Sequence, residues 1–255
     1  LAMLLRLQGR FIYPLERIRG IPPNPAADRL EPVTVRTRDG LELSIRHKAP
    51  AEPDGITVVL FHGNGEDLSQ RAHIAHDLIA AGCGVLLAEY RGYGGNPGKP
   101  HEAGLYADGR AALEFAYLQT SRVVLHGYSL GSGVAVQLAT EFPVDALVLE
   151  APFTCIADVA RTRFPYVPVR WLLRDRYDNL SKIGAVRSPV LIYGGLADGV
   201  IPPHQFTALH TAVRGPRRLA LIDDANHVDV WTKGGADHVL AFLQAVSDDT
   251  RRANA

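Results

Sequence analysis

Short, uninterrupted apolar segments recur along most of this 255-residue chain. The six segments are Val58–Phe61, Val85–Ala88, Val123–Leu125, Ala146–Leu149, Val190–Tyr193 and Leu219–Ile222. A strand with one solvent-exposed face alternates apolar and polar residues, whereas a strand buried on both faces is apolar throughout. Such short segments also suit strands better than helices. The pattern therefore predicts a sheet whose strands are buried on both faces between layers of helices.

The stretches between these segments have helical periodicity. Apolar residues fall on one helical face within residues 105–116 and again within 239–246. Asp67 and Gln70 resemble a capping box at the start of another helix. Two alternating runs within residues 33–45 are joined by an Asp-Gly pair, the strongest short signal for a hairpin. Strands that alternate with helices after such a hairpin predict an α/β protein with an open, mostly parallel central sheet flanked by helices.

The chain length fits one large α/β domain. We predict that residues 1–30 form an N-terminal helix and a Pro-rich lead-in, and that residues 31–250 form the domain. The connection between the strands near Glu150 and Pro189 is longer than its neighbours and rich in aromatic and proline residues. We interpret residues 154–187 as a small helical lid insertion. The alternative is a helix that only covers the edge of the sheet.

Charge and cysteine usage narrow the classes of function. The chain has 27 basic and 27 acidic residues, so nothing favours binding to nucleic acid. Cys83 and Cys155 stand in no metal or redox spacing, and we expect two buried free thiols. His73 and His76 lie three residues apart without an H-E-x-x-H motif, which indicates a solvent-facing pair. We expect neither a metal nor an organic cofactor.

The N-terminal residues 1–12 combine apolar side chains with two arginines. They fit the end of a membrane anchor or an amphipathic interfacial helix, and they equally fit a helix packed on its own domain, which we favour. No run in the chain reaches the roughly 18 apolar residues of a membrane span. We expect a cytoplasmic protein, with membrane-surface association through the N-terminus if an anchor precedes Leu1.

A predicted strand continues directly into the motif Gly127-Tyr-Ser-Leu-Gly131, and a helical stretch follows. A G-x-S-x-G motif between a strand and a helix places its serine on a sharp turn, where larger flanking side chains would collide. The turn lifts the Ser129 hydroxyl above the sheet and directs the N–H of Leu130 toward the substrate oxygen. Ser129 is therefore the predicted nucleophile, and Leu130 a predicted oxyanion donor.

Three further residues follow other predicted strands. Asn64 lies in the turn His62-Gly-Asn-Gly65, from which its N–H can supply a second oxyanion donor. Asp198 and His227 each follow a later strand, at the edge of the sheet where open α/β folds bind ligands. The order Ser, acid, His predicts His227 as the general base and Asp198 as its orienting acid. We prefer Asp198 to Glu150, which ends the preceding strand.

Together these features resemble the α/β-hydrolase fold of serine hydrolases. The resemblance spans about residues 30–245, and within it the chain resembles the "alpha/beta-hydrolase domain-containing" branch with its lipase-like and protein-depalmitoylating members and bacterial relatives. The motifs that carry it are His62-Gly-Asn-Gly, Tyr90-Arg-Gly-Tyr-Gly, Gly127-Tyr-Ser-Leu-Gly and Glu150-Ala-Pro-Phe. Members of this branch often have an N-terminal membrane anchor. Where many relatives have Asp before the second motif, this chain has Glu89.

The expected reaction is acyl transfer to Ser129 followed by hydrolysis. We expect a small-molecule ester or lipid-like substrate with a short-to-medium acyl chain, bound by Phe164, Tyr166 and Trp171 of the lid and by Tyr128. The alternatives are an acyl-thioesterase, as the resemblance implies, and a catalytically silent binding protein on the same fold. A dinucleotide-binding fold has less support, because neither candidate for G-x-G-x-x-G is complete.

Overall fold

The computed structural model describes residues 8–9, 11–18, 22, 24–164 and 166–253. The strands are β1 (Glu31–Arg36), β2 (Glu42–Lys48), β3 (Thr57–Phe61), β4 (Gly84–Ala88), β5 (Val123–Tyr128), β6 (Ala146–Glu150), β7 (Val190–Gly195) and β8 (Arg217–Ile222). In this part of the chain they form one sheet in the order β1-β2-β4-β3-β5-β6-β7-β8. Strands β1 and β2 form an antiparallel hairpin, and β2 also pairs antiparallel with β4. The other pairings are parallel, which confirms the predicted sheet.

Burial differs between the centre and the edge of the sheet. Strands β3 to β7 are buried at every residue, as their uninterrupted apolar segments predict. Strand β8 is different, because Arg217, Arg218 and Leu221 are exposed while Ala220 and Ile222 are buried. The prediction that this segment is buried on both faces is wrong. The reason is its place at the edge of the sheet, where Ala220 and Ile222 are buried in one core but Leu219 is only partly covered by the other.

Helices cover both faces of the sheet. They are α1 (Leu15–Ile18), α2 (Ala72–Ala80), α3 (Glu102–Gln119), α4 (Leu130–Glu141), α5 (Ile156–Arg163), α6 (Val169–Leu172), α7 (Asn179–Lys182), α8 (His204–Ala212) and α9 (Ala236–Ala253), with short 3-10 turns at Pro25–Arg29, Leu68–Arg71 and Ile183–Ala185 and a wide turn at Trp231–Gly235. One apolar core joins the sheet to α3, α4 and α8, and a second core on the other face joins it to α2 and α9. This is the flanked sheet that the sequence predicts.

The predicted capping box at Asp67 forms only in part. The Asp67 carboxylate accepts a hydrogen bond from the N–H of Ser69 at 2.9 Å, which caps the 3-10 turn before α2. The Gln70 side chain contacts the Ser69 hydroxyl and the Pro22 carbonyl instead of reaching back to Asp67. The reciprocal half of the box is absent here because a short 3-10 turn, rather than the α-helix itself, follows the cap.

The described part of the N-terminal segment packs on the domain. Ile12 and Tyr13 are buried, and the Tyr13 hydroxyl donates a hydrogen bond to Asp175 at 2.8 Å. Residues 1–7 and 10 of the predicted N-terminal helix lie outside the described residues. Across the ranges given above, no helix has both the length and the apolar character needed to cross a membrane.

The insertion at residues 154–187 contains α5, α6 and α7, so its predicted helical character is confirmed. Cys155, at the start of this insertion, and Cys83 are both free, as predicted. They are half-buried rather than fully buried. His73 and His76 are exposed on α2, which agrees with the predicted solvent-facing pair.

Candidate active site

Ser129 lies between β5 and α4 in a strained backbone conformation, with φ +48° and ψ −114°. Positive φ costs energy for a residue with a Cβ atom, and such strain is concentrated at functional sites. A Cβ atom added at Gly131 would lie 2.1 Å from the Phe61 carbonyl oxygen, and one at Gly127 would lie 2.5 Å from the Gly131 carbonyl oxygen. The two glycines therefore allow the close approach of backbone segments that this sharp turn requires.

The structure brings Ser129, His227 and Asp198 into one hydrogen-bonded line. The distance from His227 Nε2 to Ser129 Oγ is 3.1 Å, and that from His227 Nδ1 to Asp198 Oδ2 is 2.8 Å. The other Asp198 oxygen accepts hydrogen bonds from the N–H groups of Val200 and Ile201, both at 2.8 Å. Asp198 is thus held in a buried position, and the imidazole is oriented so that it can take a proton from the serine hydroxyl.

Asn64 and Leu130 line the same cavity as Ser129. The N–H of Leu130 is at the start of α4, where no intrahelical acceptor exists. The turn of Asn64 is fixed from two sides, because its side-chain amide donates to the Ile12 carbonyl at 3.1 Å and the Tyr93 hydroxyl donates to its carbonyl at 3.4 Å. Both residues predicted as oxyanion donors therefore line the cavity together with Ser129.

A buried pair that the sequence reasoning missed holds the turn of Asn64 in place. His62 Nε2 lies 2.6 Å from Glu89 Oε1, and His62 Nδ1 lies 2.7 Å from the Gly63 carbonyl oxygen. Burial by itself lowers the pKa of His62, but the adjacent Glu89 carboxylate outweighs burial and raises that pKa. Both ring nitrogens face acceptors, which is the environment of a charged imidazolium. The interaction gives Glu89 a structural role.

A second buried group of charges lies behind the nucleophile turn. The Arg71 guanidinium lies 2.8 Å from Glu66 and 3.4 Å from Glu150, and Glu66 accepts the N–H of Gly63 at 2.8 Å. Burial by itself raises the pKa of Glu150. The charge of Arg71 and the hydrogen bond from His126 outweigh burial and lower that pKa to about 2. The Glu150 carboxylate interacts with Arg71 and His126 and does not contact the imidazole of His227.

Tyr128 packs against His227 and does not line the cavity that contains Ser129, so its prediction as a pocket residue is wrong. Its ring centroid is 5.2 Å from that of His227, and the Arg71 guanidinium lies 3.6 Å from the Tyr128 ring centroid. The Tyr128 hydroxyl donates to the His227 carbonyl at 3.1 Å. The side chain of Tyr128 points behind His227 because alternate residues of a strand point to opposite faces of the sheet.

A cavity of about 810 Å³ opens above Ser129. Its described lining is Gln8, Phe11, Ile12, Pro14, Asn64, Gly65, Ser129, Leu130, Phe153, Ile156, Val159, Ala160, Phe164, Val167, Val169, Leu172, Leu173, Val200, Ile201 and His227. The lining is mostly apolar; its polar side chains are Gln8, next to the insertion, and Asn64, Ser129 and His227 at the other end. Such a composition suits an apolar group placed against a reacting centre.

Of the three lid residues predicted to bind substrate, only Phe164 lines this cavity. Tyr166 and Trp171 are 97% and 89% exposed, so their prediction as pocket residues is wrong. The short helix α6 turns Val169 and Leu172 toward the cavity, which leaves Trp171 on the outer side. The lining residues of α5 are Ile156, Val159 and Ala160, at positions i, i+3 and i+4. This helical periodicity is visible in the sequence.

The N-terminal segment forms one wall of the cavity, which the sequence reasoning also missed. Phe11 packs edge-to-face on Phe164 with ring centroids 5.8 Å apart. The Gln8 side chain accepts a hydrogen bond from the N–H of Arg174 at 2.8 Å. The segment therefore contacts the insertion on one side and, through Ile12, the turn of Asn64 on the other.

Residues that could ligate a metal are scattered. In the described ranges no group of three or more His, Cys, Asp and Glu side chains is arranged to hold a metal ion. The chemistry available at this cavity is that of the serine hydroxyl, the imidazole and the backbone N–H groups.

Comparison with known proteins shows the family to which this chain belongs. Residues 51–182 match the model of the family described as serine aminopeptidase, S33. The chain is 39% identical over 233 residues to the uncharacterized protein Rv2307c of Mycobacterium tuberculosis, which covers 87% of this chain and 81% of that protein. It is 28% identical over 284 residues to the alpha/beta hydrolase domain-containing protein WAV2 of Arabidopsis thaliana, covering 98% of this chain and 92% of that protein.

Solved structures share the fold at lower identity. The esterase Pf2001 of Pyrococcus furiosus superposes with a TM-score of 0.71 at 18% identity, covering 88% of this chain and 92% of that one. The acetyl xylan esterase of Paenibacillus sp. R4 gives a TM-score of 0.69 at 19% identity, covering 84% of this chain and 83% of that one. These similarities identify the architecture as the α/β-hydrolase fold predicted from the sequence.

Proposed function

Because this chain belongs to the serine aminopeptidase, S33 family of α/β hydrolases, we propose that it hydrolyses carboxylic acyl esters with Ser129 as the nucleophile. The observation that carries the proposal is the hydrogen-bonded line from Ser129 through His227 to Asp198, at 3.1 and 2.8 Å. A serine on a strained turn, a base within reach of its hydroxyl and an acid behind that base are the three parts that acyl transfer requires.

In the first half of the reaction, His227 Nε2 takes the Ser129 proton while Oγ attacks the ester carbonyl. Asp198 holds the imidazole in the tautomer whose Nε2 is free to accept, and it stabilises the imidazolium that forms. The tetrahedral oxyanion is stabilised by the N–H groups of Asn64 and Leu130. The imidazolium then gives its proton to the departing alkoxide, and an acyl-enzyme remains on Ser129.

In the second half, His227 removes a proton from a water molecule, and the water oxygen attacks the acyl carbonyl. The same two N–H groups stabilise the second oxyanion. Collapse of this intermediate returns the proton to Ser129 and releases a carboxylic acid. Every proton moves between groups of this chain, substrate and water.

The cavity supports an acyl chain as the recognised part of the substrate. Its lining beyond the serine is apolar and comes from α5, α6 and the N-terminal segment. The described lining includes no Asp or Glu, so an α-ammonium group would enter without a counter-charge. This favours an acyl ester over a peptide with a free N-terminus, despite the description of the family model.

An acyl thioester is a second candidate, because the same attack on a thioester carbonyl expels a thiolate. A catalytically silent binding protein is the third, and it predicts no covalent reaction at Ser129. Purified protein incubated with chromogenic esters and with thioesters of the same acyl chain compares the first two directly. A leucine anilide serves as the aminopeptidase control, and we expect it to be hydrolysed least.

The decisive experiment is labelling with a fluorophosphonate, which phosphonylates an activated serine. We expect one adduct, on the peptide that contains Ser129, and none in Ser129→Ala. Ser132→Ala is the matched control, because Ser132 is buried and its hydroxyl donates to the Ser129 carbonyl at 2.6 Å. Labelling of Ser129→Ala at another serine, or no labelling of the unaltered chain, contradicts the proposal.

A further inference from the structure

The insertion and the N-terminal segment beside the cavity carry a group of exposed aromatic and aliphatic side chains. We call Phe11, Phe164, Tyr166, Val167 and Trp171 the rim. Every Phe, Tyr or Trp side chain that is exposed in the described part of the chain belongs to it. Phe11, Phe164 and Val167 also line the cavity, and Tyr166 and Trp171 lie on the exposed outer side of the same insertion. Contiguous exposed apolar groups of this kind mark an interaction surface rather than ordinary solvated surface.

Basic side chains accompany the rim. The insertion at residues 154–187 has seven basic and three acidic residues, in a chain whose total charge balances. Asp158 is paired with Arg170 at 3.1 Å, and Asp175 accepts the hydroxyl of Tyr13. Arg161, Arg174 and Arg176 are exposed and make no ion pair within the described ranges. Positive charge is therefore available beside the aromatic groups.

We propose that the rim and its arginines dock on the surface of an anionic lipid bilayer. Trp and Tyr favour the level of the lipid headgroups, because each combines an apolar ring with a polar atom. Exposed arginines gain from the negative potential of anionic lipids. A protein partner matches the apolar part of the rim equally well, but the positive charge next to fully exposed aromatic rings favours a negatively charged, deformable surface.

Docking in this orientation also bears on the substrate of the proposed hydrolysis. This part of the inference rests on the proposed function. The opening beside the packed rings of Phe11 and Phe164 would face the lipid, so an acyl chain would pass from the bilayer into the apolar cavity without crossing bulk water. The substrate class is then an acyl lipid or an acylated group held at a membrane surface. Binding itself needs no turnover, and all binding is therefore measured in the Ser129→Ala background.

Trp171 offers a direct probe of docking. The chain has two tryptophans, and Trp231 is only 3% exposed, so a change in emission on docking reports on Trp171. Addition of vesicles of phosphatidylcholine mixed with phosphatidylglycerol should shift the emission to shorter wavelength. Vesicles of phosphatidylcholine alone should give a much smaller shift, and high salt should reverse the shift with the mixed vesicles. The Trp171→Phe chain supplies the background of Trp231.

Vesicle sedimentation tests the rim and the charges separately. Replacing Tyr166 and Trp171 by Ser should abolish binding, whereas Leu118→Ser should not. Leu118 is 82% exposed but lies near the end of α3, at the opposite edge of the sheet. Changing Arg161, Arg174 and Arg176 to Gln should lower the partition coefficient roughly a hundredfold. The same change at Arg36, Arg214 and Arg217 removes equal charge elsewhere and should have little effect.

Four results overturn the proposal. The first is unchanged Trp171 emission with both kinds of vesicle. The second is equal binding of the rim variant and the Leu118→Ser control. The third is binding that ignores lipid charge or responds equally to both sets of arginines. Specific binding of a protein through the rim, without vesicle binding, overturns it in favour of a protein partner. Failure of the fluorophosphonate labelling described above is a separate result, because it concerns the hydrolysis alone.

Discussion

The hydroxyl of Tyr128 donates a hydrogen bond to the backbone carbonyl of His227 at 3.1 Å. The residue before the nucleophile is thereby joined to the loop that carries the imidazole. Arg71 lies against the Tyr128 ring and also binds Glu66, which accepts the N–H of Gly63 in the turn of Asn64. One buried arginine thus connects the loops of Ser129, His227 and Asn64.

Tyr128→Phe should lower kcat while leaving KM almost unchanged. The variant keeps the ring that packs on His227 and loses only the hydroxyl that holds the loop. Loss of one hydrogen bond costs about 0.5–1.5 kcal/mol, which corresponds to a fall in kcat of roughly twofold to tenfold. Steady-state kinetics on one ester measures both constants. Tyr117→Phe is the control, because it removes a similar bond to the Pro143 carbonyl far from the site. Equal effects of both variants would refute a positioning role for Tyr128.

Asp198→Asn should reduce kcat by about 10⁴-fold, because the amide favours the wrong tautomer of His227. Glu150→Gln should act on stability instead, lowering the free energy of unfolding by about 1.5–3 kcal/mol, because the buried Arg71 loses one of its two carboxylate partners and keeps Glu66. Kinetics below the unfolding temperature and urea denaturation separate the two effects. If Glu150→Gln loses kcat and Asp198→Asn keeps it, the roles of the two carboxylates are the reverse of our proposal.

Ala160→Phe should shift the preferred substrate to shorter acyl chains. Ala160 lines the cavity on α5, and a phenyl group there takes space from the far end of an acyl chain. For the unaltered chain we expect kcat/KM to rise with chain length and then fall, with up to about 0.8 kcal/mol, or roughly fourfold, for each methylene that enters. Trp171→Ala, on the exposed side of α6, is expected to leave the profile on soluble esters intact. A series of p-nitrophenyl esters measures both profiles, and an unshifted optimum in Ala160→Phe would place the acyl chain elsewhere.

The buried His62–Glu89 pair should make stability depend on pH. Because the folded chain raises the pKa of His62 above its ordinary value of 6.5, the stabilisation is complete below that pH. It is lost as pH rises through the pKa of the folded state. Glu89→Gln should therefore cost about 1.5–3 kcal/mol at mildly acidic pH and progressively less at alkaline pH.

Urea denaturation of both chains across this range measures the difference between them. Glu114→Gln is a suitable control, because Glu114 forms an exposed pair with Arg38 that contributes at most about 1 kcal/mol. A cost of Glu89→Gln that stays constant with pH would show that His62 does not titrate with the pair.

The sheet and the candidate catalytic residues could be predicted from the sequence because both depend on local pattern. Buried strands must be apolar, and the strained turn at Ser129 needs glycine on both sides. Asp198 and His227 were identified from their positions after successive strands, since the carboxyl ends of parallel strands meet at one edge. Each of these rules relates neighbouring residues or neighbouring strands.

The substrate cavity and the buried charges were decided by tertiary structure. Trp171 and Leu172 are adjacent in sequence, yet one faces solvent and the other the cavity, because the packing of α6 sets the direction of each side chain. His62 contacts Glu89, and Phe11 contacts Phe164, although the members of each pair are far apart in the sequence. Local periodicity does not predict such contacts. The sequence determined which residues are the candidates for catalysis, because that prediction depends on short turns and strand ends. The fold alone determined what surrounds them, because that depends on contacts between distant segments.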